Sequence, residues 1–298
     1  MFLLLAPLLL TVARAAPNPS PFTPAGGLGT NTTPVYSPMS DFDFQSMNLA
    51  LNQEWIELDL FHHGLAQFSV EEFEAAGINA ADRFLIEFMA DQEVGHATMI
   101  TNILGPTAAK PCNYTYPFTT VREFVDFCQK LTRFGESGVY GFLEHLDSRA
   151  SAELLLQSIT TEARQQMIFR QFEGLFPMPI WFTPGITQSM AWTLLSPYII
   201  SCPAENPHIV FQNFPALNII FVAWISQLNT TYTPLFNLNG TSGSTLQPNG
   251  TIYGDGSNAL VNGTVFIAVT DNNTFVTPFS LSEINQHIVA GPAIYMAG

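Results

Sequence analysis

The most constraining feature of the sequence is one helical segment, Ala81–Leu104, that carries an acid and an imidazole inside its apolar stripe. Apolar side chains recur along this segment at helical spacing. Glu93 and His96 lie in the same stripe, between Met89 and Ile100. Both groups are costly to bury without partners, and a spacing of three residues places them on one helix face. One metal ion could therefore take both as ligands. The alternative is a surface glutamate beside a partly buried histidine.

Three further segments are predicted to be long helices with an acid near the apolar stripe. The first spans about Asp41–Gln67, the next runs from a capping box at Thr120 to about Leu146, and the last ends near Glu173. Four helices with short or medium connections predict an up-down-up-down bundle over residues 41–175. The four inward acids are Glu54, Glu93, Glu136 and Glu162. Taken one at a time, each acid is more typical of a solvated helix face than of a metal ligand.

The last of these helices repeats the motif of the first feature in altered form. Glu162 is followed three residues later by Gln165, where a histidine would complete the symmetry. In the first helix, Glu57 falls on a poorer face than Glu54. We therefore expect Glu57 to face away from the other acids, so that its replacement should do little.

Composition narrows the classes of partner. The chain of 298 residues has 9 Lys plus Arg against 24 Asp plus Glu, a formal net charge of −15. No basic patch is available for nucleic acid, and the negative field would repel phosphate backbones. The nucleophile elbow Gly-x-Ser-x-Gly of many hydrolases does not occur in the sequence.

The amino terminus resembles a secretion signal. Residues 2–12 form an apolar run too short to span a bilayer, and Ala13-Arg14-Ala15 offers small residues for a signal peptidase. We predict a signal peptide over residues 1–15, a mature chain that begins near Ala16, and no membrane span. The acceptor sites for N-linked glycans, which fit a secreted protein, are Asn31, Asn113, Asn229, Asn239, Asn249, Asn262 and Asn272.

Two regions outside the bundle are expected to be irregular. Residues 16–40, rich in Pro, Gly, Thr and Ser, predict an extended arm. Residues 176–298 predict a glycosylated β-rich appendage packed on the bundle. Its first part should contain a short helix from Thr183 to about Leu195. The predicted strands are Ile219–Ile225, Val265–Val269 and Phe275–Phe279.

Three cysteines suit one disulfide in an oxidising compartment. Cys112 and Cys202 both lie in Pro-flanked loops, whereas Cys128 lies in a predicted helix. This placement favours a bridge between Cys112 and Cys202.

Three motifs together point to a known family. They are Asn-Gln-Glu-Trp-Ile-Glu at 52–57, Asp-Gln-Glu-Val-Gly-His at 91–96 and Thr-Glu-Ala-Arg at 161–164. Residues 41–175 resemble the ferritin-like domain of secreted fungal stress-response proteins of the Rds1 type and of plant desiccation-related proteins. The resemblance implies a mainly α, ferritin-like four-helix bundle and a di-iron or di-manganese site.

That resemblance suggests a ligand set and two functions. Glu93 would bridge two Fe or Mn ions, with Glu54 and His96 on the first ion and Glu136, Glu162 and Gln165 on the second. One hypothesis is a secreted metal-binding protein with oxidase activity on Fe(II), peroxide or oxygen. The other is a non-enzymatic extracellular or cell-wall protective protein with a metal-free bundle. Cell-wall components or a second copy of the chain are the expected partners besides glycans.

Overall fold

The computed structural model describes residues 33–214, 221–226, 230–239, 242–248, 263–273 and 276–297. The predicted signal peptide, most of the predicted arm and four of the seven glycan acceptors lie outside these residues. From Val35 onward the chain forms one compact unit. Four long helices dominate this unit, and they confirm the predicted mainly α fold. They are α1 (Asp41–Gln67), α3 (Ala80–Leu104), α4 (Val121–Phe142) and α5 (Arg149–Phe172).

Side-chain caps set where these helices begin. Thr120 and Glu123 form a capping box at the start of α4, as the sequence predicts. A second box, Asn79 with Asp82, opens α3. A third box opens the short helix α2 (Val70–Ala75). These local bonds satisfy backbone N–H groups that have no partner inside the helix. These local signals explain why the long helices begin close to the predicted positions.

The order of helix directions differs from the prediction. In α1, Glu54 contacts His96 of α3, and further along Leu65 accepts a bond from Arg83, so α3 runs antiparallel to α1. Contacts of α1 with α4 move backward along α4 in the same way, from Leu131 to Phe124. Both α3 and α4 therefore oppose α1, and the bundle is up-down-down-up rather than up-down-up-down. The connection from Gly105 to Thr120 is long enough to run the length of the bundle.

The glycines of α4 are places of close packing. A Cβ on Gly141 would lie 1.7 Å from the backbone oxygen of Ile186, in the segment before the short helix α6 (Gln188–Leu195). A Cβ on Gly138 would lie 3.0 Å from Ala191 of α6. The glycines thus let the chain after the bundle lie directly against α4. The predicted start of that short helix at Thr183 is wrong, because Thr187 is its cap.

The carboxyl-terminal region contains an antiparallel sheet, in line with the predicted β-rich appendage. Its strands, in their order across the sheet, are β4 (Thr230–Pro234), β3 (Phe221–Ile225), β7 (Gly263–Thr270) and β8 (Ile288–Ala297). One face of the sheet, which includes Ala223, Phe266 and Ala268, joins the apolar core of the bundle. Trp224 is buried on the other face. The strand predicted at Phe275–Phe279 is wrong for its described part, because a 3-10 segment begins at Pro278.

Two smaller strand pairs complete the fold, β1 (Asn113–Tyr114) with β2 (Ile199–Ser201), and β5 (Phe236–Asn239) with β6 (Ser242–Ser244). A disulfide joins Cys112 to Cys202 beside the first pair, as the loop positions favour. Cys128 is free and buried in α4. The disulfide ties the long α3–α4 connection to the region after α6. None of the helices in the described ranges is both long and apolar enough to cross a membrane.

Candidate metal centre

A polar cluster occupies the middle of the bundle, between two apolar cores. One core takes Met47 and Leu51 from α1 and Ile100 from α3. The other takes Leu60 from α1 and Ile86 from α3. The side chains between them are polar and nearly all buried. We call them the carboxylate cluster: Glu54 and Glu57 from α1, Glu93 and His96 from α3, and Glu162 and Gln165 from α5.

Four members of the carboxylate cluster lie close enough together to share one ion. Ligand atoms of Glu54, Glu93, His96 and Glu162 all lie within 4.8 Å of one another. His96 Nδ1 lies 3.2 Å from Glu54 Oε2 and 2.9 Å from Glu93 Oε2. Only the imidazole of His96 reaches solvent appreciably, with 13% of its side chain exposed. Three carboxylates and one imidazole thus converge from three helices.

Gln165, which is also a predicted ligand, contacts the same group. Its Nε2 donates to Glu93 Oε1 over 2.5 Å. Its Oε1 is buried and has no hydrogen-bond partner in the described part of the chain. The same is true of Glu57 Oε2 and Glu162 Oε2. Buried oxygens without donors are rare in folded proteins, because each one loses its hydration without compensation.

Burial also shifts the proton affinities of the carboxylate cluster. It raises the pKa of Glu54 to about 7, although His96 opposes the shift. Burial and then the neighbouring carboxylates raise the pKa values of Glu57 and Glu162 well above the ordinary value. Burial lowers the pKa of His96, but Glu54 and Glu93 outweigh it and raise that pKa to about 12. The cluster therefore has more negative than positive charge. The raised pKa of His96 favours the charged form of its imidazole, which offsets part of that negative charge.

The position expected for Glu57 is wrong. This side chain is fully buried, and the carboxylates of Glu93 and Glu54 both raise its pKa. The face of α1 that carries Glu57 is not a poor face, because it packs against α4. A Cβ on Gly135 of α4 would lie 2.8 Å from Glu57 Oε1, so the glycine makes room for this carboxylate. The signal in the sequence was the spacing Glu54-x-x-Glu57, which matches that of Glu93 and His96.

The structure does not bring Glu136 into the group around His96. Its Oε2 pairs with Arg133 Nη1 at 2.8 Å, and its Oε1 accepts from Thr183 Oγ1 at 3.0 Å. Burial raises the pKa of Glu136, and the Arg133 guanidinium opposes that shift. Because this acid already has a cation, Glu57 is the better candidate for the fourth carboxylate. In the ligand set that we propose, Glu57 therefore takes the place predicted for Glu136.

The carboxylate cluster fits divalent metal ions by its donor chemistry. Four carboxylates, one imidazole and one amide oxygen form a donor set that suits iron and manganese. Two divalent ions would neutralise four carboxylates. Three buried oxygens of the cluster have no hydrogen-bond partner among the described residues, so they are available as metal ligands. The site is therefore compatible with metal binding on the residues themselves.

This arrangement of helices and acids is that of the ferritin-like proteins, and the ferritin-like domain family matches residues 42–175 of the chain. A relative of known sequence aligns with nearly the whole length of this chain. The chain is 46% identical to Protein rds1 of Schizosaccharomyces pombe over an alignment of 350 residues, which covers 94% of this chain and 87% of the relative. The chain therefore belongs to the Rds1 family of ferritin-like-domain proteins.

Proposed function

We propose that this protein is a secreted ferritin-like protein that binds two divalent ions, iron or manganese, in the carboxylate cluster. Glu93 lies at the centre and would bridge the ions. Glu54 and His96 would hold the first ion, and Glu57, Glu162 and Gln165 the second. The observation that carries the proposal is the convergence of three buried carboxylates and the His96 imidazole within 4.8 Å, with the buried carboxylate of Glu57 beside them.

The residues also determine what the centre would do. Bound iron or manganese would supply redox chemistry toward Fe(II), peroxide or oxygen, which is the oxidase activity that we propose. His96 Nδ1 lies between Glu54 and Glu93, and a proton on this nitrogen would have to leave before the nitrogen could become a ligand. The two apolar cores keep water away from the carboxylates on both sides along the bundle. The partly exposed edge of His96 gives small molecules the nearest approach.

The test is the number of metal ions per chain after exposure to Fe(II) or Mn(II), measured by elemental analysis. Wild type should hold about two ions. Glu93→Ala should lose most of the metal, and Glu57→Gln should lose about one ion, because it acts on one position only. Glu136→Gln is the matched control, since that acid already has a cation, and it should keep both ions. Equal metal in wild type and Glu93→Ala, or none in either, would refute the proposal.

One observation favours a second function, a non-enzymatic extracellular protective protein with a metal-free bundle. Glu93 is already satisfied on both oxygens, by His96 and by Gln165. A centre held only by such bonds would need no ion. Absence of metal in the wild type, together with an intact fold, would support this function.

Secretion is a separate part of the proposal. The disulfide suits an oxidising compartment. The three acceptor asparagines in the described residues, Asn113, Asn239 and Asn272, are all exposed. Glycans on them are compatible with the bundle, and they disfavour a close-packed storage cage. Intact mass and amino-terminal sequencing of material from the medium should give a start near Ala16 and added sugar. A full-length product without sugar would contradict secretion.

A further inference from the structure

We propose that Gln92 is a positioning residue, which holds the amide of Gln165 so that its oxygen serves as a ligand of the second ion. The inference rests on the proposed function and adds to it a residue that touches no ion. Gln92 lies on α3, directly before Glu93, and its side chain is partly exposed. Its Oε1 accepts from Gln165 Nε2 over 3.1 Å.

The two hydrogen bonds of Gln165 leave its amide one orientation. An amide nitrogen can only donate, and an amide oxygen can only accept. Gln165 Nε2 has two N–H groups, and two oxygens receive them, Glu93 Oε1 and Gln92 Oε1. Turning the amide over would place its oxygen against those two oxygens. The remaining atom, Gln165 Oε1, is buried and accepts no hydrogen bond from the described residues, so it is placed to bind a cation.

Gln92 becomes more important once Glu93 binds an ion. A carboxylate that gives electron density to a cation is a weaker acceptor for the amide hydrogen. The bond to Gln92 is then the one that does not compete with the ion. Partners of this kind, which touch a ligand but not the metal, typically change metal affinity about 10-fold to 100-fold.

The experiment is a Mn²⁺ titration of the full chain by equilibrium dialysis, with electron paramagnetic resonance to report free ion. Gln92→Leu should weaken the second ion about tenfold and leave the first ion unchanged. Gln92→Glu keeps an acceptor at this position, so it should rescue the second affinity to within about threefold of wild type. Gln92→Ser, which adds no apolar surface, should behave like Gln92→Leu.

A double-mutant cycle separates positioning from a structural effect. In a Gln165→Ala background the second ion is already weak, and Gln92→Leu should have no further effect. Equal weakening in both backgrounds, or equal weakening of both ions, would overturn the positioning role. Tight binding of two ions by wild type and by Gln92→Leu alike would overturn this inference alone. A wild type that binds no Mn²⁺ would overturn the proposed function and this inference with it.

Discussion

The interior of the bundle holds buried acids in two different settings. Glu136 has its own cation, Arg133, and a hydroxyl donor, Thr183. The carboxylate cluster has four buried acids, Glu54, Glu57, Glu93 and Glu162, and one histidine to neutralise them. The first setting needs nothing from outside, because its charges come in a pair. The second is short of positive charge, and this shortage is the physical reason to expect metal there. The two settings should respond differently to the same kind of change.

The largest effect on stability should follow from replacing Arg133, the cation that pairs with Glu136. Arg133→Leu leaves Glu136 buried without a countercharge, and loss of one partner of a buried ion pair destabilises a protein by about 3–5 kcal/mol. Denaturant unfolding measures the change. The double variant Arg133→Leu, Glu136→Leu should be less destabilised than the single one, because no lone charge remains. A single variant as stable as wild type would mean that the pair does not hold α4 as described.

The free energy of unfolding of the metal-free protein should also depend strongly on pH. The pKa of Glu54 is raised from 4.5 to about 7 in the folded chain, and the pKa of Glu162 is raised in the same direction. An acid whose pKa is raised by folding stabilises the folded state below pH 4.5, and this stabilisation is lost as pH rises through 7. The raised pKa of His96 acts in the same sense above pH 6.5. We expect the free energy of unfolding to fall by on the order of 2–3 kcal/mol across this range.

The measurement is urea unfolding of chelator-treated protein at pH 5 and pH 8. Divalent metal should restore the stability at pH 8, because ions that bind only the folded chain stabilise it. Stability that rises with pH in the metal-free protein would contradict the assigned proton affinities.

Neutralising one member of the carboxylate cluster should have a smaller effect, and it should increase the stability of the metal-free protein. Glu162→Gln removes a charge at nearly constant volume, and it relieves the repulsion from Glu57, Glu54 and Glu93. Metal-free protein should become more stable by about 1–2 kcal/mol at pH 8, and less so at pH 5. The same variant should bind less metal. Destabilisation at both pH values would show that the cluster is satisfied without ions.

The smallest effect should come from the hydroxyl beside Glu136. Thr183→Val keeps the side-chain shape, and it removes the donor to Glu136 Oε1 and the acceptor of Arg133 Nη1. Loss of these bonds should destabilise the protein by about 1 kcal/mol, because the ion pair between Arg133 and Glu136 remains. Thermal unfolding gives the size of the effect, and elemental analysis should give wild-type metal content. A change in metal content would mean that the two settings are coupled.

Local signals in the sequence predicted the helices, because caps such as Thr120 with Glu123 act within one turn. They also predicted which helix faces carry Glu54, Glu93 and Glu162. The direction of α4 depends on the path of a long connection, which no local pattern determines. The choice between Glu57 and Glu136 depends on which neighbour each one meets. Gly135 makes room for the first, and Arg133 pairs with the second. The pair of Arg133 and Glu136 has a spacing of three residues on one helix, so the sequence could have shown it. The room for Glu57 is a contact between α1 and α4, which helical periodicity alone could not supply.

Anomalous diffraction from crystals soaked in Mn²⁺ or Fe²⁺ would test the central claim most directly. Data collected on both sides of the metal absorption edge would locate each ion independently of the protein chain. The account predicts two peaks that flank Glu93, one beside His96 and one beside Glu162, and none between Arg133 and Glu136. The absence of any peak at Glu93, or a peak at Glu136 in its place, would contradict it.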